Sequence, residues 1–120
     1  MTTLAPKGWH VATEAELQEL STCNGGSSIA GGKLKSTSTL WTSPNKDATN
    51  SIGFNALPAG WKGGPSGSYA LLGDASYFWG SNERNSGQGE YMVLNNDFAS
   101  TAYNGATKTF GYSVRCVKDY

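Results

Sequence analysis

Two strand-like stretches near the C-terminus constrain this chain more than any other feature. They are Tyr77-Phe78-Trp79-Gly80-Ser81 and Phe110-Gly111-Tyr112-Ser113-Val114-Arg115-Cys116-Val117. Aromatic and β-branched residues of this kind suit a pleated, half-buried surface. Between them lies Asn82 to Thr109, rich in Asn, Ser, Thr, Gly and Tyr, with little hydrophobic pattern. The expected organisation is a rigid β frame holding up a polar surface dotted with aromatic rings. Function is expected on that surface, with the flanking strands as scaffold.

A chain of 120 residues suits one domain over 1–120 and one hydrophobic core. Nine Lys and Arg balance nine Asp and Glu. A nucleic-acid module would show a basic excess, so none is expected as partner. Neutrality also removes the electrostatic reason to sit on an anionic membrane. No apolar stretch approaches the ~20 residues of a membrane span, so no insertion is expected. Few charges and many turn formers fit a loop-rich domain displayed outside the cell or on a virion. The start lacks the apolar segment of a signal peptide. Either the protein needs no export, or this is a domain from the C-terminal part of a longer exported chain, and the composition favours the second.

Along the chain, Pro6 to Val11 reads as a turn into a short strand. Thr13-Glu14-Ala15-Glu16 is a capping box, and Leu17 and Leu20 mark one face of a helix of about ten residues that Asn24-Gly25-Gly26 ends. Gly31 to Trp41 reads as a short strand and a loop. Ile52, Phe54, Leu57 and Trp61 are expected in the core, as are Trp9, Trp41, Trp79 and Phe110, although Trp79 sits among small and polar residues that would leave it half exposed. Lys62 to Gly67 is a glycine-rich turn without the ending of a phosphate loop. Ser68 to Leu72, Ser76 to Gly80, Glu90 to Leu94, Ala99 to Tyr103 and Phe110 to Lys118 are strand candidates. In the third of these, Tyr91 and Val93 share one face, Met92 and Leu94 the other.

Five segments then resemble a known family. They are Pro6-Lys7-Gly8-Trp9-His10-Val11, Ala30-Gly31-Gly32-Lys33-Leu34-Lys35-Ser36-Thr37, Asn50-Ser51-Ile52-Gly53-Phe54-Asn55-Ala56-Leu57-Pro58-Ala59-Gly60, Tyr77-Phe78-Trp79-Gly80-Ser81-Asn82-Glu83 and Gly111-Tyr112-Ser113-Val114-Arg115-Cys116-Val117-Lys118-Asp119. In this order they resemble the Fibrobacter succinogenes major paralogous domain, common in surface lipoproteins and adhesin-like proteins of gut Bacteroidetes. The resemblance implies an α+β fold of the C-type lectin-like kind: short twisted antiparallel strands, one or two helices, and long loops on one face. A second resemblance is to proteins diversified by retroelements, whose variable residues lie in the C-terminal stretch. Asn82, Asn85, Asn95, Asn96, Ser100, Tyr103 and Asn104 occupy such a stretch here.

Catalysis has little support in the sequence. His10 is the only histidine, no Ser or Cys beside it forms a nucleophile signature, and nothing marks Glu14 or Glu16 as an acid that orients it. A strand histidine with a hydrogen bond is the plainer account. The formylglycine-generating enzymes to which the fold is related use a cysteine pair, and only Cys116 falls in the terminal motif. Cys23 and Cys116 either pair, closing a loop of about 90 residues, or remain separate thiols; the sequence favours separate thiols without excluding a pair. Arg115 is expected to hold a carboxylate or loop carbonyls.

No cofactor is expected, with calcium as the one candidate. Asn95-Asn96-Asp97 resembles a lectin calcium element without its tryptophan. Asp97, Asn96, Glu83 and Asp74 are the available oxygens, against the six to eight that calcium takes. A plain turn is the simpler account of Asn95-Asn96-Asp97. The expected function is ligand or receptor recognition, by a surface of Ser81, Asn82, Glu83, Asn85, Tyr91, Asn95, Asn96, Asp97, Ser100, Tyr103 and Asn104. Its composition is that of a paratope rich in Tyr, Ser, Gly and Asn. The expected partner is a protein or a glycan on a cell surface, and the alternative is a carbohydrate adhesin of fixed specificity.

Overall fold

A computed structural model describes residues 4–63 and 67–119. Gly64, Pro65 and Ser66, the middle of the glycine-rich turn expected at Lys62 to Gly67, lie outside the described residues.

The first helix forms where its capping box predicts it. α1 spans Glu14–Cys23, and the Thr13 hydroxyl accepts the Glu16 N–H at 3.1 Å while Glu16 accepts the Thr13 N–H at 2.9 Å. Glu14 and Glu16 in the first turn suit the positive end of the helix dipole. Asn24 ends it, its side-chain amide donating to the Leu20 carbonyl.

The expected strand and loop from Gly31 is corrected: Ser27–Leu34 is a second helix, α2. Glycine disfavours a helix by about 1 kcal/mol relative to alanine, and α2 contains two. Packing decides against propensity here. A Cβ on Gly31 would lie 2.3 Å from the Ser100 carbonyl oxygen, and one on Gly32 would lie 2.4 Å from that of Asp47. Only bare backbone lets α2 approach these loops so closely.

The strands are β1 (Trp9–Val11), β2 (Trp61–Lys62), β3 (Tyr69–Ala70), β4 (Ala75–Asn85), β5 (Gln88–Asn95), β6 (Thr101–Thr107) and β7 (Cys116–Lys118). β1 pairs with β7, bringing the chain ends together, and β2 pairs with β3. β4, β5 and β6 form an antiparallel meander. The polar run from Asn82 is thus mostly strand, against the expectation of patternless loop. The last strand is shorter than expected: before Cys116 its β pairing is limited to the isolated bridges Lys62↔Gly111 and Phe78↔Ser113.

The core lies between the meander and the helices. Phe78, Met92 and Leu94 meet Ala12, Leu17, Leu34, Trp41 and Ala56, with Leu20, Phe54, Tyr103 and Val117 packed against them. Each fully buried side chain of this size contributes about 1.5–3 kcal/mol. Trp41 is anchored by its indole N–H, which donates to Ser36 Oγ and the Ala56 carbonyl. Trp79 is 6% exposed, not half exposed as its neighbours suggested. Trp9 at 44%, Ile52 at 50% and Leu57 at 45% are exposed, against their expected core places. Arg115 does hold loop carbonyls: it stacks 4.2 Å above the Phe54 ring and donates to the Phe54 carbonyl at 2.7 Å. Cys23 and Cys116 are separate thiols.

Candidate functional site

The meander has a break in β4 that creates a cleft. Trp79 faces Tyr91 across β4–β5, and the next paired residues are Glu83 and Gly89. Four steps along β4 therefore match two along β5, so Gly80 to Asn82 bulge out of the ladder. A bulge bends its strand and re-aims its side chains. This one carries β4 towards the start of α1. The Ser81 N–H donates to the Ala12 carbonyl at 2.9 Å, and Asn82 Oδ1 accepts the Glu14 N–H at 2.8 Å. Gly80 is needed at the crossing, because a Cβ there would lie 3.0 Å from the Glu14 nitrogen.

Beyond that contact the elements separate around a cleft of about 680 Å³. Its walls are His10, Val11 and Thr13 on one side and Ser81, Asn82 and Glu83 on the other, with Trp79 and Gly89 as floor. The Trp79 ring lies on Gly89, where a Cβ would come within 3.0 Å of Cζ3. Among the described residues no acceptor meets the Trp79 indole N–H, unlike that of Trp41. Lys108 closes one end and is ion-paired to Glu83 at 2.6 Å. This pairing holds the Glu83 carboxyl below its ordinary range.

His10 is held on both ring nitrogens. Nδ1 lies 2.6 Å from Asp119 Oδ1, and Nε2 lies 2.9 Å from both oxygens of Glu16. The hydrogen bond to Asp119, then that to Glu16, raises its pKa above the ordinary 6.5. The Thr13 N–H, with His10 adding to it, lowers that of Glu16. Glu16 thus orients His10, which the sequence did not indicate. A strand histidine with hydrogen bonds is the outcome.

The sequence-selected residues fall in separate places. Ser81, Asn82 and Glu83 line the cleft. Asn85 sits at the β4–β5 turn, where its side chain accepts the Gly87 N–H. Asn104 lies at the same end, in register with Tyr91, and accepts from Arg84. Tyr91 belongs to an aromatic cluster with Tyr77 and Tyr112, at 5.3 Å from each ring. Tyr103 points inward: its hydroxyl donates to the Leu17 carbonyl at 3.0 Å and meets Ser21 Oγ. Asn95, Asn96, Asp97 and Ser100 belong to the opposite end of the meander, where Asn95 faces Ala75. Asn96 and Asp97 form the expected turn. Glu83 is eight residues along β4 from Ala75, roughly 25 Å at the rise of a strand. It therefore does not meet Asp97, Asn96 and Asp74, and among the described residues no group of three acidic, His or Cys side chains forms a metal site.

The cleft residues missed in the sequence are His10, Val11, Thr13, Trp79, Gly80, Gly89 and Lys108. The signal was the pairing of the chain ends, which brings residue 10 beside residue 81.

Two helices packed on a meander, with the chain termini paired at its side, define a small α+β domain whose bulged strand opens a cleft beside β1. The chain belongs to the Fibrobacter succinogenes major domain family, whose model matches residues 1–118. No curated protein and no solved structure matches it.

Proposed function

We propose that this domain is a ligand-recognition module, presented outside the cell or on a virion, that binds in the cleft between β1 and β4 and performs no catalysis. The bulge at Gly80 to Asn82 carries this reading, because it opens a cleft walled by Ser81, Asn82 and Glu83 over a buried tryptophan with a free indole N–H. The ring is buried, but its N–H is not among the buried polar atoms without a partner, so it reaches the cleft and offers a donor to a ligand acceptor. Both nitrogens of His10 are engaged, which favours binding over catalysis. The frame is taken as C-type lectin-like, with a cell-surface protein or glycan as partner and no metal required. Diversification of residues 81–104 by a retroelement belongs to the same proposal. Sequencing the genomic neighbourhood tests it: a reverse transcriptase gene beside a near-copy of that coding segment is the expected result, and its absence contradicts the diversification.

The test uses two probe sets, a displayed peptide library and a glycan array, against the wild type and Ser81→Trp, which fills the cleft. Binders of the wild type are expected to be lost by Ser81→Trp while its circular dichroism is unchanged. Binders that survive a filled cleft contradict the proposal.

A further inference from the structure

The cleft is bounded by two strand edges with unpaired main-chain groups. In the β1–β7 ladder the Ala12 N–H donates to Arg115 and the Asp119 N–H to Gly8, each at 2.9 Å. Antiparallel ladders alternate bonded and non-bonded pairs. Trp9↔Lys118 and Val11↔Cys116 are therefore non-bonded pairs, and the peptide groups of Trp9 and Val11 point away from β7, the Trp9 N–H to the Pro6 carbonyl at 3.0 Å. On β4, Tyr77, Trp79 and Ser81 direct theirs outward, to Ser113 and Ala12. Phe78↔Met92 and Ser76↔Leu94 are then the bonded pairs, so by the same alternation Gly89 faces β6 and Glu83, opposite it, faces outward. Among the described residues, no hydrogen bond outside the strand ladders engages the N–H or C=O of Val11 or Glu83, or the C=O of Ser81. The two edges touch once, at Ser81 and Ala12, and the cleft opens from there.

We propose that the cleft accepts an extended peptide segment of a partner polypeptide, added as a strand between the edges of β1 and β4. The inference rests on the ligand-recognition reading above and gives its ligand a class. Alternating main-chain donors and acceptors on both sides of a slot match the two edges of a single extended strand. The charges around the slot are already matched within the protein, His10 by Asp119 and Glu16 and Lys108 by Glu83. Recognition then falls to the backbone, with uncharged side chains over Trp79 and Gly89. A strand from a second copy fits less well, because every described strand is already paired on at least one side.

The experiment starts from a displayed library of linear peptides of about ten residues, selected against the whole domain. A selected peptide is then synthesised unmodified and with N-methyl groups on alternate residues. Methylation of one alternate set is expected to weaken binding at least about tenfold, as befits hydrogen bonds left unmade. The bound peptide is also expected to slow amide exchange at Val11 and Glu83. Binding indifferent to methylation, or unchanged exchange at both amides, overturns the inference. If no peptide is selected and a glycan binds instead, the peptide class falls while the recognition reading stands. If neither probe set binds, both fall. Self-association that protects the same amides assigns the slot to a second copy and likewise overturns the inference.

Discussion

Lys35 gives the most quantitative prediction. Its side chain is fully buried, with Nζ 2.9 Å from the carbonyl oxygens of both Asn95 and Phe98 and 5.6 Å from the Trp41 ring centroid. Burial lowers its pKa from 10.5 to about 8, against the pull of Asp47 and Asp97. The folded pKa lies below the unfolded one, so between these values the unfolded chain holds more protons. Stability therefore rises with pH across that window. Between pH 7.5 and 9.5 the linkage relation with these two values yields a gain of about 2 kcal/mol. Lys35→Met has no proton to lose and lacks this gain. Urea denaturation followed by tryptophan fluorescence, at both pH values and for both proteins, measures the difference. The comparison also cancels His10, which is common to both. Above pH 10 the raised pKa values of Tyr77 and Tyr112, half-buried against each other, work the other way and lower stability. An equal pH response in wild type and Lys35→Met would refute the argument.

Gly31→Ala forces a Cβ to within 2.3 Å of the Ser100 carbonyl, and a loss of about 1–3 kcal/mol in the urea midpoint is expected for such overpacking. His10 has its pKa raised above 6.5 by Asp119 and Glu16, so its contribution is full below pH 6.5 and is lost as pH rises through the folded value. His10→Gln is expected to remove that dependence from melting curves recorded between pH 5.5 and 8, and a dependence left intact would count against the two ion pairs.

Sequence chemistry announces α1, because a capping box places donor and acceptor three residues apart on the chain itself. α2 has no such announcement. Gly26 at its start provides no side-chain cap, and Gly31 and Gly32 read as breakers until the loops that press on them are known. The strand character of Asn82 to Thr107 is hidden for a related reason. Asn, Ser and Gly have low strand propensity, and here the cross-strand ladder imposes the conformation. Tyr91, Met92, Val93 and Leu94 were legible because they alternate, and their faces agree with the register that sets Phe78 opposite Met92. In the site, Ser81, Asn82 and Glu83 were found by composition. Val11, His10 and Thr13 were not, because only the pairing of β1 with β7 places them there.

The central claim is that recognition occurs between β1 and β4. Amide and indole chemical-shift mapping with a selected binder tests it most directly. The prediction is that the largest shifts fall on Val11, Thr13, Ser81, Glu83 and the Trp79 indole N–H. Shifts confined to the turn at Asn96 and Asp97, or to the exposed Leu71 and Leu72, would contradict it.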